Sequence, residues 1–440
     1  MRAWALATLA LGLGSAPGVH ATELWSSEGE GEWRLDFSGS LRELLIVSQG
    51  TDLDDFSAAA SGCAPVSFPD CPAFLLVGDR TVVQSLARLR MRLDVQAGEA
   101  VTGVVVYDHE AVLGHLNTLE NALGAEFASD SLLRAEGIIA SGRHAAWRHL
   151  LYRGYLTAEV GSVRASVGRQ RIAWGEGRLW NPIDRLNAIG PLAIQPDQVP
   201  GVDAIDLRWH WSGFDYLQAI YAPARDSDDA RYVGRIHGVL LDTDLSVLGG
   251  WIEGAPTAGI DGSRNLGEAA VRFEVVWIDP RRDVVRFDEP GPAPPDDFWQ
   301  VVVSLDTNLD IGAGLYLLAE HLYNGGALGF GSGAAGPLLP LFQPPGVPAS
   351  RDRFGTSQVV SGAAHQTGAQ IGYDLTPELR GSFLTLLDWS GGSAVLFPSL
   401  VWSGSVSFEL ALGVQVGVGP RRSEYGDRGA LGYLQLEWFF

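Results

Sequence analysis

The sequence predicts an all-β protein: a single closed antiparallel transmembrane β-barrel of about 18 strands, with about 16 as the alternative count and both termini periplasmic. Three observations lead to this fold class. Polar and apolar residues alternate along segments of about ten residues. These segments are joined alternately by short turns and by longer polar loops. The last segment, Ala430–Phe440, ends on an aromatic residue.

The first residues, Met1–Ala21, have the pattern of a secretory signal peptide. Arg2 supplies the positive charge, Ala3–Leu13 the apolar stretch, and Val19-His20-Ala21 a cleavage site with small residues. The apolar stretch is too short for a membrane-spanning helix, which needs about 20 residues. We therefore expect residues 1–21 to be a signal peptide and residues 22–440 to form one barrel domain.

The composition also favours a barrel. The chain has 55 Gly, 14 Trp and 2 Met, and this density of glycine and aromatic residues suits strands, tight turns and interfacial girdles. All 31 basic residues are arginine, whose planar guanidinium matches carboxylate and phosphate groups. The net charge of -21 argues against nucleic acid as a partner, because DNA binding needs a basic surface.

The only two cysteines, Cys63 and Cys71, are expected to form a disulfide in an oxidising compartment. No cluster of His or Cys accompanies them, so we predict no metal site and no cofactor. Two runs of acidic residues lie in predicted loops, where we expect them to be exposed to solvent; Ca²⁺ binding is the alternative. These runs are Asp52, Asp54 and Asp55, and Asp226, Asp228 and Asp229.

The segment Ala87–Val95 shows the alternation most clearly. Leu89, Met91 and Leu93 occupy one face of a strand, and Arg88, Arg90 and Arg92 the other. In a membrane barrel, the apolar face contacts lipid and the polar face lines the lumen. The same pattern recurs in later segments, including Ile205–Trp211, Glu268–Trp277 and Tyr433–Phe440.

The positions of turns and loops give the strand count. Short turns are predicted at Ala97–Ala100, Gly161–Ser162, Ser212–Gly213, Asp242–Asp244, Asp279–Arg282, Thr307–Asp310, Thr376–Glu378 and Ser403–Ser405. Longer loops are predicted at Gly50–Arg80, Ala111–His144, Gly175–Val202, Pro223–Ala230, Gly254–Asn265, Pro290–Asp297, Asn324–Ser357, Ser390–Gly392 and Gly419–Gly429. Eight turns and nine loops make eighteen strands, and the count depends on a strand at Asp283–Glu289.

Arginines on the polar faces form the first candidate site. The predicted pore-lining set is Arg88, Arg90, Arg92, Arg153, Arg164, Arg169, Arg171, Arg208, Arg231, Arg235 and Arg272. Arg169 and Arg171 join it only if a bulge at Gly168 shifts the register and returns Ile172 and Trp174 to the lipid face. Such a row of guanidinium groups would attract anions. The alternative is a salt-bridge network with the acidic residues Asp94, Glu159, Asp206, Glu268 and Glu274.

The segment Gly168–Asp203 is the second candidate site. Its G-R-Q strand, W-G pair and N-P-x-D loop resemble a group of Gram-negative outer-membrane porin-like proteins, broadly similar to the alginate-export and substrate-specific porin types. Ala319–Gly325 resembles a strand end of the same barrels. The resemblance implies a loop that folds inward and narrows the lumen. The constriction residues would then be Trp174, Trp180, Asn181, Asp184, Arg185 and Asn187. An ordered surface cap is the alternative.

We predict no catalytic residues and no enzymatic activity, although Asp108-His109-Glu110 near a strand end leaves a barrel hydrolase as an alternative. The predicted function is an outer-membrane channel that passes small polar, anionic solutes. A barrel that serves as a sheath or export duct for a polysaccharide or redox partner is the alternative. The expected partners are outer-membrane lipid, a small anionic or polar solute, and a second copy or a periplasmic protein.

Overall fold

The computed structural model describes residues 22–27, 32–50, 80–114, 132–133, 135–142, 144–187, 190–195, 201–225, 227, 230–279, 297–327, 363–420, 423–426 and 429–440. Twenty strands form one antiparallel sheet. They are β1 (Thr22–Ser26), β2 (Trp33–Gly50), β3 (Arg80–Ala97), β4 (Val101–Gly114), β5 (Glu136–Gly142), β6 (Ala145–Val160), β7 (Val163–Gln170), β8 (Val202–His210), β9 (Tyr216–Ala222), β10 (Arg231–Leu240), β11 (Thr243–Ile252), β12 (Ala255–Leu266), β13 (Ala269–Ile278), β14 (Phe298–Leu309), β15 (Leu315–Asn324), β16 (His365–Thr376), β17 (Leu379–Asp388), β18 (Ser393–Ser405), β19 (Phe408–Val418) and β20 (Ala430–Phe439).

Eighteen of these strands close into a barrel, which confirms the predicted fold class and count. Each pairs with the next in chain order, β4 pairs with β6 past the short β5, and β20 returns to pair with β2. The strand β1 pairs only with β2, and β5 only with β6. Closure leaves the wall without an open edge, as the interior of a membrane requires.

The two ends of the barrel differ. Eight short connections lie at one end, here called the turn end, and nine connections lie at the other, the loop end. Among the turns, Leu241 and Asp242 form a two-residue hairpin with φ values of 52° and 58°. Positive φ at both positions gives the turn the twist that adjoining strands need. The start of β2 and the end of β20 also lie at the turn end, and their periplasmic location stays a prediction.

The wall has an apolar outside and a polar inside. Leu207 and Trp209 of β8 are 46% and 51% exposed, whereas Asp206, the residue before Leu207, is 5% exposed. The same inversion occurs in β20, where Leu434 and Leu436 face outward and Gln435 and Glu437 are buried. An apolar outer surface on a closed barrel is suited to lipid.

The strand count is correct, but one predicted strand assignment is wrong. Gly254–Asn265, predicted as a long loop, forms most of β12, and the turn after it lies at residues 267–268. The predicted turn at Asp279–Arg282 is also wrong, because Ile278 pairs with Phe298 and residues 279–297 connect β13 to β14 at the loop end. The predicted strand Asp283–Glu289 lies outside the described residues.

Small residues explain why β12 resembles a loop in the sequence. Its central residues include Gly259 and Gly262, so the apolar alternation is weak. A Cβ atom at Gly259 would lie 2.9 Å from Ile183 Cδ1, a residue of the β7–β8 connection. Glycine is therefore needed here because another segment packs closely against the inside of the wall.

The barrel closes at the last residue of the chain. The amide of Gly39 donates to the carbonyl of Phe440 at 2.8 Å, and the amide of Phe440 donates back to Gly39 at 3.0 Å. The Phe440 ring lies 5.2 Å from Trp438 and 6.3 Å from Phe37, measured between ring centroids. The terminal aromatic residue thus belongs to the seam between the first and last wall strands.

Candidate functional site

The connection between β7 and β8 folds into the barrel. The two strands are neighbours in the wall, yet residues 171–201 lie between them in the chain. The described residues of this segment, 171–187 and 190–195, are here called the inward loop. Ile172 and Trp180 are each 1% exposed, and Ile183 is 0% exposed. These side chains are covered by inward-facing residues of the wall, so this part of the loop lies inside the barrel.

Apolar packing holds the first half of the inward loop. Ile172, Trp174, Ile183 and Leu186 belong to one core cluster with wall residues of β8 to β14. The wall members are Ala204, Ile220, Ala222, Val233, Leu248, Ile252, Ala255, Val276, Ile278 and Phe298. The indole Nε1 of Trp174 also donates to Gln218 Oε1 at 3.2 Å. Part of the lumen wall is therefore apolar because a loop packs on it.

Two buried wall carboxylates bind backbone amides of the loop. Glu274 of β13 accepts from the amides of Glu176, Gly177 and Ile183 at 2.7, 2.5 and 3.1 Å. Glu274 is 0% exposed, and a buried carboxylate needs such donors to offset its desolvation.

Glu320 of β15 makes the second set of bonds. Its carboxylate accepts from the amides of Arg178, Leu179 and Trp180 at 2.7, 2.9 and 2.7 Å, and it is 1% exposed. Six backbone donors of the loop are thus satisfied by two side chains of the wall. Sequence reasoning missed this role for Glu320 and assigned Glu274 to a salt bridge.

The second half of the inward loop contacts other wall strands through amide and carbonyl groups of its own. Gln415 of β19 donates from Nε2 to the carbonyl of Leu192 at 2.9 Å. Gln195 donates from Nε2 to Gln435 Oε1 of β20 at 2.8 Å and accepts from Arg88 of β3 at 3.3 Å. The loop therefore reaches from β9 and β13 to β20 and β3 across the inside of the barrel.

The six predicted constriction residues lie in this loop, but most of them pack within it. Asn181 Nδ2 donates to the carbonyl of Trp174 at 2.5 Å, and Asn187 Nδ2 donates to that of Ile172 at 2.6 Å. The members Trp174, Trp180, Asp184, Arg185 and Asn187 are all buried. In residues 171–187, the exposed side chains are instead Arg171, Ala173 and Arg178.

Asp184 is the buried acid of the loop. Its Oδ1 accepts from the amide of Asn187 at 3.1 Å. Burial raises the pKa of the Asp184 carboxyl to about 7, against the opposing effect of that amide and of the Arg171 charge. Asp184 is therefore a group whose charge changes near neutral pH.

Most of the predicted pore-lining arginines are ion-paired. The pairs are Arg88–Glu110 at 2.7 Å, Arg90–Asp108 at 2.6 Å, Arg92–Asp94 at 2.6 Å, Arg164–Glu159 at 3.3 Å, Arg208–Asp206 at 3.1 Å, Arg231–Glu253 at 2.5 Å, Arg235–Asp261 at 3.2 Å and Arg272–Asp306. Asp94, Glu159 and Asp206 pair as the salt-bridge alternative expects. Glu268 lies in an exposed turn, and Glu274 binds the loop.

The prediction for Arg169 is wrong. The register from β6 through β7 to β8 is continuous across Gly168, so no bulge turns Arg169 into the lumen. Arg169 pairs with Asp203 at 2.9 Å and donates to the carbonyl of Leu133 at 2.7 Å. The strand ends at Gln170 and the chain then enters the barrel, so Ile172 and Trp174 are buried inside and do not face lipid.

Positive charge is concentrated beside the inward loop. The guanidinium carbons of Arg90 and Arg153 lie 3.7 and 5.1 Å from the ring centroid of Tyr152. Arg153 is also subject to the charges of Arg90 and Arg171. On the other flank, Arg272 is subject to the positive charge of Arg178 and lies 3.9 Å from the carboxylate of Glu176. The loop thus carries Arg171 and Arg178 toward arginines of the wall, and Arg178 was not in the predicted set.

Several predictions lie outside the described residues: the signal peptide, the Cys63–Cys71 disulfide and both acidic runs. Within the described ranges, no group of three or more His, Cys, Asp or Glu side chains could hold a metal ion. No helix in the same ranges is long and apolar enough to cross a membrane.

Solved structures that are similar to this chain in fold include outer-membrane porins. Acinetobacter baumannii OccAB2 matches with 9% identity and a TM-score of 0.52, over 92% of this chain and 98% of that chain. OccAB1 of the same organism matches with 10% identity and a TM-score of 0.51, over 97% and 99%. Pseudomonas aeruginosa OpdK with vanillate matches with 10% identity and a TM-score of 0.50, over 92% and 98%. No family model and no curated protein matches the sequence.

These likenesses agree with the geometry of the chain. The described strands form a closed 18-strand porin-like barrel. Its outer wall is apolar around the circumference, and its inner wall is polar except where the inward loop packs. A barrel of this construction belongs in the Gram-negative outer membrane.

Proposed function

We propose that this outer-membrane barrel is a channel for small polar, anionic solutes, narrowed by the inward loop and lined in part by arginine. The observation that carries the proposal is the position of the loop. It is bound to the wall by Glu274 and Glu320 at one side and by Gln415 and Gln435 at the other. A loop held in this way reduces the cross-section of the lumen.

The charge preference rests on the arginines beside the loop. Arg171 and Arg178 are exposed on it, and Arg153 lies close to Arg171 and Arg90. Paired arginines such as Arg92 contribute little net field, because Asp94 lies 2.6 Å away. Net positive charge at a narrow point favours anions over cations. The vanillate in the OpdK structure is consistent with a carboxylate as the solute class.

Reversal potentials in planar bilayers under a KCl gradient test the proposal. We expect anion selectivity in the wild type and a fall of about twofold or more in the ratio of anion to cation permeability for R171Q/R178Q. The matched control is Arg92→Gln, which removes a paired arginine and should change the ratio less. Cation selectivity of the wild type, or equal effects in both variants, would contradict the anionic preference.

The sheath or duct alternative makes a different prediction. A polysaccharide or redox protein in the lumen would have to displace a loop that contacts β3, β9, β13, β15, β19 and β20. We therefore favour small solutes. A barrel that does not conduct in bilayers and that copurifies with a periplasmic partner would favour the sheath.

A further inference from the structure

Histidines on the outer wall lie only toward the loop end of the described strands. His109 on β4 and His149 on β6 are register partners, and His321 on β15 and His365 on β16 lie on neighbouring strands. The buried neighbours of these residues, such as Glu110 and Glu320, face inward, so the imidazoles face outward. At the turn end, the outward aromatic residues include Trp209 and Tyr373, and no histidine of the described strands faces outward there.

The pair His321–His365 lines a pocket in this outer wall. His321, His365, Thr367, Trp389 and Ser390 surround an open space of about 470 Å³. Trp389 Nε1 donates to Thr367 Oγ1 at 2.8 Å, and Thr367 Oγ1 lies 2.9 Å from His321 Nδ1. His321 Nε2 lies 3.5 Å from His365 Nδ1. The five side chains are thus connected or adjacent, rather than scattered on the wall.

Each ring of the pair supplies hydrogen-bond donors to the pocket. A neutral imidazole carries one N–H and a protonated imidazole carries two, so the two adjacent rings together hold at least two N–H groups. Thr367 Oγ1 accepts from Trp389 and can either donate to or accept from His321 Nδ1. An anionic oxygen in the pocket would favour the forms of the two rings that direct an N–H toward it.

Flat rings flank these donors. The rings of Tyr323 and His365 have centroids 5.1 Å apart, and Trp389 is 64% exposed. A sugar ring can lie on such an aromatic face because both surfaces are partly apolar. The pocket thus combines a donor for phosphate with a surface for a saccharide.

A second group of two histidines, a tyrosine and a tryptophan occurs on the outer wall. Tyr107, Trp147, His109 and His149 form a group in which Tyr107 Oη lies 2.5 Å from His149 Nδ1. The ring centroid of His109 lies 5.4 Å from that of Tyr107 and 6.0 Å from that of Trp147. Two separate groups of two histidines, a tyrosine and a tryptophan therefore face outward toward the same end of the barrel.

We propose that the His321–His365 pocket binds the phosphorylated saccharide headgroup of a glycolipid in the outer leaflet. The imidazoles donate to the phosphate oxygens, and Trp389 and Tyr323 contact the sugar. The ligand class follows from position as well as chemistry. A wall-facing pocket is reached from the lipid, and the loop end is the end at which such headgroups would lie in the predicted orientation.

Native mass spectrometry of the purified, folded barrel tests this proposal. Diphosphoryl lipid A is titrated into the wild type, into H321Q/H365Q and into the matched control H210Q/H237Q, whose two histidines face the lumen. We expect the affinity for lipid A to fall about tenfold in the outward variant, because hydrogen bonds to a charged group are lost, and to stay unchanged in the control. Trp389→Ala should weaken binding while leaving the histidines in place.

Two further titrations separate the sources of the ligand. Phosphatidylglycerol should bind more weakly than lipid A and should not distinguish the variants, since it lacks the saccharide. Excess inorganic phosphate should not displace lipid A. Equal lipid A binding by all folded variants would overturn the proposal, as would displacement by phosphate. A loss of Zn²⁺ binding in H321Q/H365Q with lipid A binding intact would also overturn it and indicate a metal site.

Discussion

The two halves of the inward loop are held by different forces. Residues 171–187 pack in an apolar cluster with β8 to β14, and two buried carboxylates bind six of their amides. Residues 190–195 place Leu192 and Ile194 against other wall clusters, make neutral hydrogen bonds to Gln415 and Gln435, and accept one longer hydrogen bond from Arg88, at 3.3 Å. Charge-assisted bonds are about twice as strong as neutral ones. The first half therefore anchors the loop, and we expect the second half to detach from the wall first.

Removal of the two anchoring charges should have the largest effect. In E274Q/E320Q, each amide group keeps the shape of the carboxylate but loses its charge and one acceptor oxygen. Hydrogen bonds to charged groups contribute about 1.5–3 kcal/mol each, so the loop should leave the wall. We expect a larger single-channel conductance in bilayers and cleavage within the loop by added protease.

The control for that experiment is Glu268→Gln, which changes an exposed glutamate in a turn. Its conductance should equal that of the wild type. Unchanged conductance and protease resistance in E274Q/E320Q would show that apolar packing alone holds the first half.

Ionisation of Asp184 should have the next largest effect. Burial raises the pKa of this carboxyl to about 7, above its ordinary value of 3.8, so the bound loop favours the protonated form. Its stabilising effect is fully present below about pH 4 and is lost as the pH rises through about 7. Current fluctuations should thus be greater at pH 8 than at pH 5, and the difference should be smaller in Asp184→Asn. An equal pH dependence in both proteins would count against this role.

A side chain at Gly259 should loosen the first half to a smaller extent. In Gly259→Val, the new Cβ would lie 2.9 Å from Ile183 Cδ1 and 3.2 Å from the carbonyl of Val275. Overpacking of this kind costs about 1–3 kcal/mol. We expect an intermediate rise in conductance. Gly249→Val is the control, because its Cβ would meet only the carbonyl of Thr257, at 3.9 Å.

The smallest effect is expected in the second half of the loop. Gln195→Ala removes the hydrogen bond to Gln435 and the longer one from Arg88, and a neutral hydrogen bond contributes about 1 kcal/mol. We expect more frequent brief current steps without a change in the main conductance level. An effect as large as that of E274Q/E320Q would reverse the order of the two halves.

The sequence predicts the wall better than the lumen. Alternation in Ala87–Val95 or Tyr433–Phe440 shows which residues share a face, since two faces in different solvents need different side chains. It fails at β12, where Gly259 must be small because Ile183 packs on it. That requirement comes from a segment 76 positions earlier in the chain, and the local alternation of polar and apolar residues does not indicate it.

The sequence predicts the bounds of the loop but not its contacts with the wall. Trp174 and Trp180 are apolar residues within a polar loop, and the sequence does not reveal that they pack on the inner wall. Glu320 follows the strand alternation like other inward acids, yet it binds amides of Arg178, Leu179 and Trp180. The pattern places a carboxylate in the lumen, but its partner depends on where the loop crosses.

The bond between Gly39 and Phe440 bears on how the barrel folds. Other neighbouring wall strands are joined by hairpins or single loops, whereas β2 and β20 pair residues such as Leu41 and Trp438, from opposite ends of the chain. Bringing such distant residues together has the greatest entropic cost of loop closure in the molecule. The hairpins can therefore form locally and early, while closure requires both β2 and β20. Before closure, β2 and β20 would each expose an unpaired edge to other proteins.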